Sequence, residues 1–159
     1  MNNKVSILMG SKSDLEIMNK AVEMLKSFGI SYDINVLSAH RTPHETIEFV
    51  ENSDSDVFIA GAGGAAHLPG VVAGITSKPV IGVPIKATIS IAGIDSLLSI
   101  VQMPPGVPVA CVGVDGAKNA GILAAQILAV ASSDLQKKLV DFKKEQREMV
   151  LESNNALVR

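Results

Sequence analysis

The sequence is poor in residues that several classes of protein need. Cys111 is the only cysteine, so no disulfide can form within the chain and a reducing compartment is expected. Tryptophan is absent and only 3% of the residues are aromatic, which leaves little for stacking single-stranded bases. The net charge of −2 supplies no basic field for a phosphate backbone. We therefore expect no nucleic-acid partner.

Long apolar runs are also missing. None reaches the length of about 18 residues that a membrane-spanning helix needs. The first apolar run is short and directly follows Lys4, which is unlike a signal peptide. We expect a cytoplasmic protein with no membrane partner. Cys111 lies inside the apolar run 109–112, which favours a buried core position over a role as a nucleophile.

What the sequence does have is enough apolar material for one domain over residues 1–159, since 47% of its residues are hydrophobic and 19% are charged. Short apolar runs alternate with stretches of helical periodicity, and no hairpin signal separates them. This pattern predicts a parallel sheet covered on both faces, a three-layer α/β/α sandwich. The predicted strands are 5–9, 31–37, 57–60, 80–83 and 109–112. Predicted helices span 94–101 and 117–131, and others end near residues 28, 52 and 75.

The last part of the chain differs from the repeating units. Residues 134–153 form a charged helical pattern with Leu135, Leu139, Phe142 and Met149 along one side. No strand follows for this helix to pack beneath. It can lie on its own domain or reach a neighbouring subunit, and we favour the second because its apolar side needs cover.

The most informative stretch is 38–43, where a strand runs into a helix. Pro43 suits the first helical position, and Thr42 with Glu45 has the spacing of a capping box. Ligands bind at the carboxyl ends of strands in open parallel sheets. His40 is therefore the best acid/base candidate, because an imidazole takes up and returns a proton near neutral pH. The alternative is an ordinary loop with two polar residues.

Two further loops follow strands and so lie at the same edge of the sheet. Residues 10–14 offer hydroxyl and backbone N–H groups that suit an anion. Ser13 with Glu16 reads as a second capping box, which leaves Ser11 and Asp14 unexplained, and a carboxylate like that of Asp14 can bind ribose hydroxyls. The glycine loop 61–64 either admits a ligand close to the main chain or is a tight turn.

The remaining histidines carry weaker signals. His44 is predicted to be a surface residue, and His67 either bonds locally or lines a pocket. The sequence has no Cys/His cluster with metal-ligand spacing, so no metal is expected. A Gly-x-Ser-x-Gly elbow is also absent, which argues against a serine hydrolase.

Four segments, in order, resemble class I of the PurE family, the N5-carboxyaminoimidazole ribonucleotide mutases of de novo purine (IMP) synthesis. They are residues 10–14 (GSKSD), 38–43 (SAHRTP), 60–70 (AGAGGAAHLPG) and 95–104 (DSLLSIVQMP). The resemblance covers about residues 4–150. It implies a flavodoxin-like subunit, a homo-octamer, and no metal, ATP or biotin cofactor. It also implies a ribonucleotide substrate supplied by a carboxyaminoimidazole ribonucleotide synthetase.

The resemblance further implies the reaction and its residues. The carbamate of the substrate loses carbon dioxide, which the enzyme holds until a carbon of the aminoimidazole ring attacks it. His40 matches the family's general acid/base, and Ser11, Asp14 and Arg41 match substrate-binding positions. The positions that match the pocket wall are Ser38, Gly63, Gly64, Ala65, His67 and Leu68.

Two alternatives to the mutase remain open. Family members that use free carbon dioxide, the aminoimidazole ribonucleotide carboxylases, usually carry Lys-Gly after the histidine, whereas Arg41-Thr42 stands here and favours the mutase. A non-catalytic nucleotide-binding module on the same fold would have no need of His40. The sequence assigns no role to Lys86 or Asp115.

Overall fold

The computed structural model describes residues 3–88 and 90–157, and its centre is a five-stranded sheet. Every paired strand is parallel to its neighbour, in the order β2-β1-β3-β4-β5. That order is the flavodoxin-like one. The predicted parallel α/β/α architecture is therefore confirmed. The strands are β1 (Lys4–Met9), β2 (Ser31–Val36), β3 (Val57–Gly63), β4 (Val80–Ile85) and β5 (Ala110–Cys111).

Helices cover both faces of the sheet, and the strand side chains alternate between them. Ile7 and Ile59 point to the face covered by α1, α5 and the start of α6, whereas Leu8 and Phe58 point to the face covered by α2, α3 and α4. The helices are α1 (Leu15–Phe28), α2 (Pro43–Asn52), α3 (Leu68–Ile75), α4 (Ile94–Val101), α5 (Ala117–Ala129) and α6 (Ser133–Leu157).

Two central strands run further than predicted. β3 continues to Gly63 and β4 to Ile85, because Gly61, Ala62 and Gly63 pair in register with the end of β4. Pairing with a neighbouring strand outweighs the weak strand propensity of glycine. The predicted glycine loop therefore begins as part of the sheet, and its backbone is fixed before it reaches the turn.

Neither predicted capping box forms. Ser11, not Ser13, caps the short 3₁₀ turn Lys12–Asp14, because its Oγ accepts a hydrogen bond from the Ser13 amide at 3.3 Å. Thr42 bonds backwards instead of capping α2: its Oγ1 accepts from the Ser38 amide at 2.8 Å and donates to the Ser38 carbonyl at 3.2 Å. Both hydroxyls thus close the loops that precede their helices.

The terminal helix α6 has two different halves. Leu135 and Leu139 are buried, and Phe142 meets Phe28 edge-on with ring centroids 5.5 Å apart. The first turns therefore lie on their own domain. Beyond residue 142 every described residue is exposed, Val150 at 68% and Leu151 at 43% among them. Within the described part of the chain, no helix is long and apolar enough to cross a membrane.

Candidate active site

A cavity of about 340 Å³ lies at the carboxyl ends of β1, β2 and β3. It brings together every predicted site residue except Gly64, namely Ser11, Asp14, Ser38, His40, Arg41, Gly63, Ala65, His67 and Leu68. Gly64 is buried in the turn next to the cavity, with φ at 61°. Parallel strands present all their carboxyl ends at one edge, which explains how segments distant in sequence meet here.

The cavity has other lining residues that were not predicted as site residues. They are Gly10, Ser13, Ala39, Ala62 and Ala87. Most are neighbours of predicted residues inside the same loops. Ala87 is different, because it follows β4, and its small apolar side chain gave no signal in the sequence.

The two cavity histidines form a pair. Nε2 of His40 and Nδ1 of His67 are 2.8 Å apart, and the rings meet edge-on with centroids 4.9 Å apart. One nitrogen of this contact carries the hydrogen and the other accepts it. Both side chains are exposed to the cavity opening. His67 therefore lines the cavity, and its side-chain bond is to His40, 27 positions away, rather than to a local partner.

Arg41 bridges the loops that follow β1 and β2. Its Nη2 donates to the carbonyl of Gly10, and its Nε donates to Oγ of Ser38 at 3.3 Å. These bonds fix the plane of the guanidinium at the cavity wall. In the segments that the structure describes, no carboxylate lies within 4.0 Å of this guanidinium. Its other N–H groups suit a phosphate or carboxylate of a ligand.

Asp14 is the one buried acid of the cavity wall, with a relative exposure of 9%. Burial raises the pKa of this carboxyl above its ordinary value. The hydroxyl of Ser13, the backbone of Ser11 and the charge of Arg41 oppose that shift. Ser13 donates to the carboxylate at 3.3 Å and also to Oγ of Ser11 at 3.0 Å. The group is thus a fixed acceptor beside two hydroxyls.

The end of β3 contributes backbone groups, rather than side chains, to the cavity wall. A Cβ atom on Gly63 would lie 2.8 Å from Cβ of Ala87 and 3.1 Å from the carbonyl oxygen of Ile85. Glycine is therefore needed here so that the segment after β4 can approach. The cavity wall at this point consists of main-chain groups and a methyl group.

Cys111 lies outside the cavity. It is half-buried against the core beneath α2, α3 and α4, and burial raises the pKa of its thiol. This position agrees with the predicted core role more than with a nucleophile. Across residues 3–88 and 90–157, no three His, Cys, Asp or Glu side chains are grouped so as to hold a metal ion.

An imidazole pair, a fixed guanidinium and a buried carboxylate meet at this edge of a flavodoxin-like sheet, and together they have the chemistry to bind a small anion and move a proton. The family is established by sequence: residues 4–149 match the model of the AIR carboxylase family, and the chain belongs to that family. The resemblance stated from the four segments is thereby confirmed.

Individual relatives agree with this assignment. The chain is 53% identical over 157 residues to the N5-carboxyaminoimidazole ribonucleotide mutase of Thermotoga maritima, covering 97% of this chain and 91% of that protein. It is 47% identical over 156 residues to the chloroplastic phosphoribosylaminoimidazole carboxylase of Vigna aconitifolia, covering 96% of this chain and 28% of that protein. The solved structure of Treponema denticola PurE superposes with a TM-score of 0.86 at 31% identity, covering 98% of this chain and 99% of that one.

Proposed function

We propose that this protein is an N5-carboxyaminoimidazole ribonucleotide mutase, an isomerase of purine biosynthesis. It converts the N5-carboxy compound into 4-carboxy-5-aminoimidazole ribonucleotide. The observation that carries the proposal is the cavity itself, where His40 and Arg41 lie beside Asp14 in a chain 53% identical to a protein of that name. The pocket offers one group for a proton, one for a phosphate and one for a ribose.

The proposed reaction moves a carboxyl group in two stages. In the first stage the bond between the exocyclic nitrogen and the carboxyl carbon breaks, carbon dioxide forms, and the nitrogen takes a proton from His40. In the second stage the ring carbon attacks the carbon dioxide, and the proton on that carbon returns to His40. His40 returns to its starting protonation state, so the two stages consume no net proton.

His67 supports this proton transfer through its 2.8 Å bond to His40. A hydrogen bond to the second ring sets the orientation of the catalytic imidazole and decides which nitrogen carries the hydrogen. No covalent intermediate on the protein is required. The cavity walls keep carbon dioxide beside the ring, so its reaction with the ring carbon is effectively intramolecular.

Different loops bind different parts of the substrate. Arg41 and the hydroxyl of Ser38 face the phosphate, and the carboxylate of Asp14 accepts hydrogen bonds from the ribose. Ser11 adds a hydroxyl at the same wall. The main chain at Gly63 and Ala65, with His67 and Leu68, encloses the base, and Gly64 shapes the turn between them. The assignments of the lining residues rest on the shared cavity and on the family match, and that of Gly64 rests on the family match alone.

Residues 1–159 are proposed as one domain that assembles into a cytoplasmic homo-octamer and takes its substrate from a carboxyaminoimidazole ribonucleotide synthetase. The exposed half of α6 supports a contact with a neighbouring subunit, because Met149, Val150 and Leu151 are apolar and 43–68% exposed. A chain ending at residue 144 keeps the packed turns of α6. Its sedimentation should shift to smaller species, and an unaltered octamer would remove this half of α6 from the interface.

Two parallel assays test the activity. The protein is incubated with the carbamate, and separately with aminoimidazole ribonucleotide plus bicarbonate. Efficient conversion of the carbamate alone supports the mutase. The Vigna aconitifolia relative favours the carboxylase as a second candidate, and efficient conversion with bicarbonate would establish it. Ligand binding without turnover in either assay would indicate a binding module.

A further inference from the structure

A tight turn at residues 113–116 lies just outside the cavity. The amide of Gly116 donates to the carbonyl of Gly113 at 2.9 Å, and a Cβ atom on Gly116 would lie 2.7 Å from that oxygen. The third residue of the turn is Asp115, with φ at 56°. Aspartate tolerates this left-handed conformation better than most residues do. Asp115 can therefore occupy this position of the turn, and its carboxylate is held there by the backbone.

Asp115 bonds to the point where the chain leaves β4. Its Oδ1 accepts a hydrogen bond from the amide of Lys86 at 2.9 Å, and its own amide donates to the carbonyl of Pro84 at 2.8 Å. β4 ends at Ile85, so the Lys86 amide has left the sheet. The carboxylate of Asp115 therefore gives this exposed amide a partner within the protein. One residue thus holds the chain on both sides of Ile85.

The same turn contacts the far end of the loop 86–93. A Cβ atom on Gly93 would lie 2.5 Å from Cγ1 of Val114, and Gly93 has φ at 84°. Near the other end, Ala87 lines the cavity against Gly63. The position of this cavity wall therefore depends on a turn that does not itself reach the cavity.

We infer that Asp115 is a positioning residue for the cavity. Its carboxylate fixes the amide of Lys86 and thereby sets how closely Ala87 approaches Gly63 and the bound substrate. This inference rests on the proposed function, because it takes the cavity as the ribonucleotide site. Whereas His40 lines the cavity, Asp115 acts through the backbone and is not among the lining residues. Its loss should therefore weaken substrate binding and leave the chemical step intact.

Three substitutions separate the hydrogen bond from the backbone conformation. Asp115→Asn keeps a side-chain acceptor oxygen and tolerates the positive φ. Asp115→Gly tolerates the positive φ but has no acceptor, and Asp115→Ala has no acceptor and is strained at that φ. With the carbamate as substrate, the Asn variant should keep both KM and kcat within about twofold. The Gly variant should raise KM about five- to tenfold, the effect of one lost hydrogen bond, with kcat within about twofold. The Ala variant should match that KM and also have a lower Tm.

The result that overturns the inference is a Gly variant with the KM of the unaltered protein, or an Asn variant that fails to restore it. A fall in kcat with unchanged KM would overturn it as well. Failure of the proposed function is a separate outcome, seen as absence of turnover in the unaltered protein. Calorimetric binding of aminoimidazole ribonucleotide then still compares the four proteins: weaker binding by the Gly variant supports the positioning role, and equal binding rejects it.

Discussion

The cavity loops and the contact between α1 and α5 consist of different kinds of residue. At the cavity, His40, Arg41, His67 and Ser13 are exposed polar side chains held by hydrogen bonds. Between the helices, Ala21, Ala120, Gly121, Ala124 and Ala125 are small and buried. The first region gains little stability from burial and the second offers no chemical group. Substitutions should therefore separate activity from stability.

The largest expected effect is on turnover at the cavity. His40→Asn removes the group that takes up and returns the proton, so kcat should fall by about 10²- to 10⁴-fold. Affinity for aminoimidazole ribonucleotide should stay within about tenfold, or 1.4 kcal/mol, and Tm should barely change. Steady-state kinetics, calorimetry and thermal unfolding measure the three quantities. Equal losses of turnover and affinity would make His40 a structural residue.

Arg41→Ala should act on binding rather than chemistry. It removes charge-assisted hydrogen bonds to phosphate, each worth about 1.5–3 kcal/mol, so KM should rise about ten- to a hundredfold. Ribonucleoside without phosphate is the matched ligand, and its affinity should be nearly the same for both proteins. An unchanged KM for the phosphorylated substrate would contradict the phosphate role.

A methyl group added between α1 and α5 should lower the stability of the protein and leave its activity unchanged. In Gly121→Ala the new Cβ would lie 2.9 Å from the carbonyl oxygen of Ala21 and 3.0 Å from Cβ of Met24, so unfolding free energy should fall by about 1–3 kcal/mol. Gly74→Ala is the control, because its Cβ would meet nothing within 4 Å and alanine favours the helix by up to about 1 kcal/mol. Denaturant unfolding checks both, and kcat of each should be unaltered. Equal stabilities would contradict the close contact.

The smallest effect tests Asp14, the one buried acid among the residues that the structure describes. Folding raises the pKa of Asp14, so the native state holds that proton more tightly than the unfolded chain. Stability therefore falls as pH rises from the ordinary carboxyl pKa through the raised one, and at neutral pH the ionised group is a cost. Asp14→Asn should raise Tm by about 1–3 °C at pH 7, with the gain vanishing in acid, and should weaken substrate binding. A lower Tm at pH 7 would contradict this.

Sequence patterns predicted the sheet and most of the cavity because both depend on local signals. Alternation of strands and helices fixes the parallel topology, and that topology alone brings Asp14, His40 and His67 to one edge. The patterns failed where the outcome depends on tertiary contacts. The hydroxyls of Ser13 and Thr42 found partners other than their helices, and β3 gained Gly61 to Gly63 by pairing with β4.

Other features carried no sequence signal. Ala87 is an unremarkable residue whose place at the cavity follows from a bond between Asp115 and the preceding amide. The two histidines lie 27 positions apart, and nothing in either segment encodes their 2.8 Å contact. Long-range pairs of this kind become visible only when the strands are assembled.

A crystal structure of the His40→Asn variant with aminoimidazole ribonucleotide tests the central claim most directly. The account predicts phosphate within hydrogen-bond distance of Arg41, ribose hydroxyls on the carboxylate of Asp14, and the ring carbon facing residue 40. A ribonucleotide bound elsewhere on the protein, or with its ring turned away from residue 40, would contradict it.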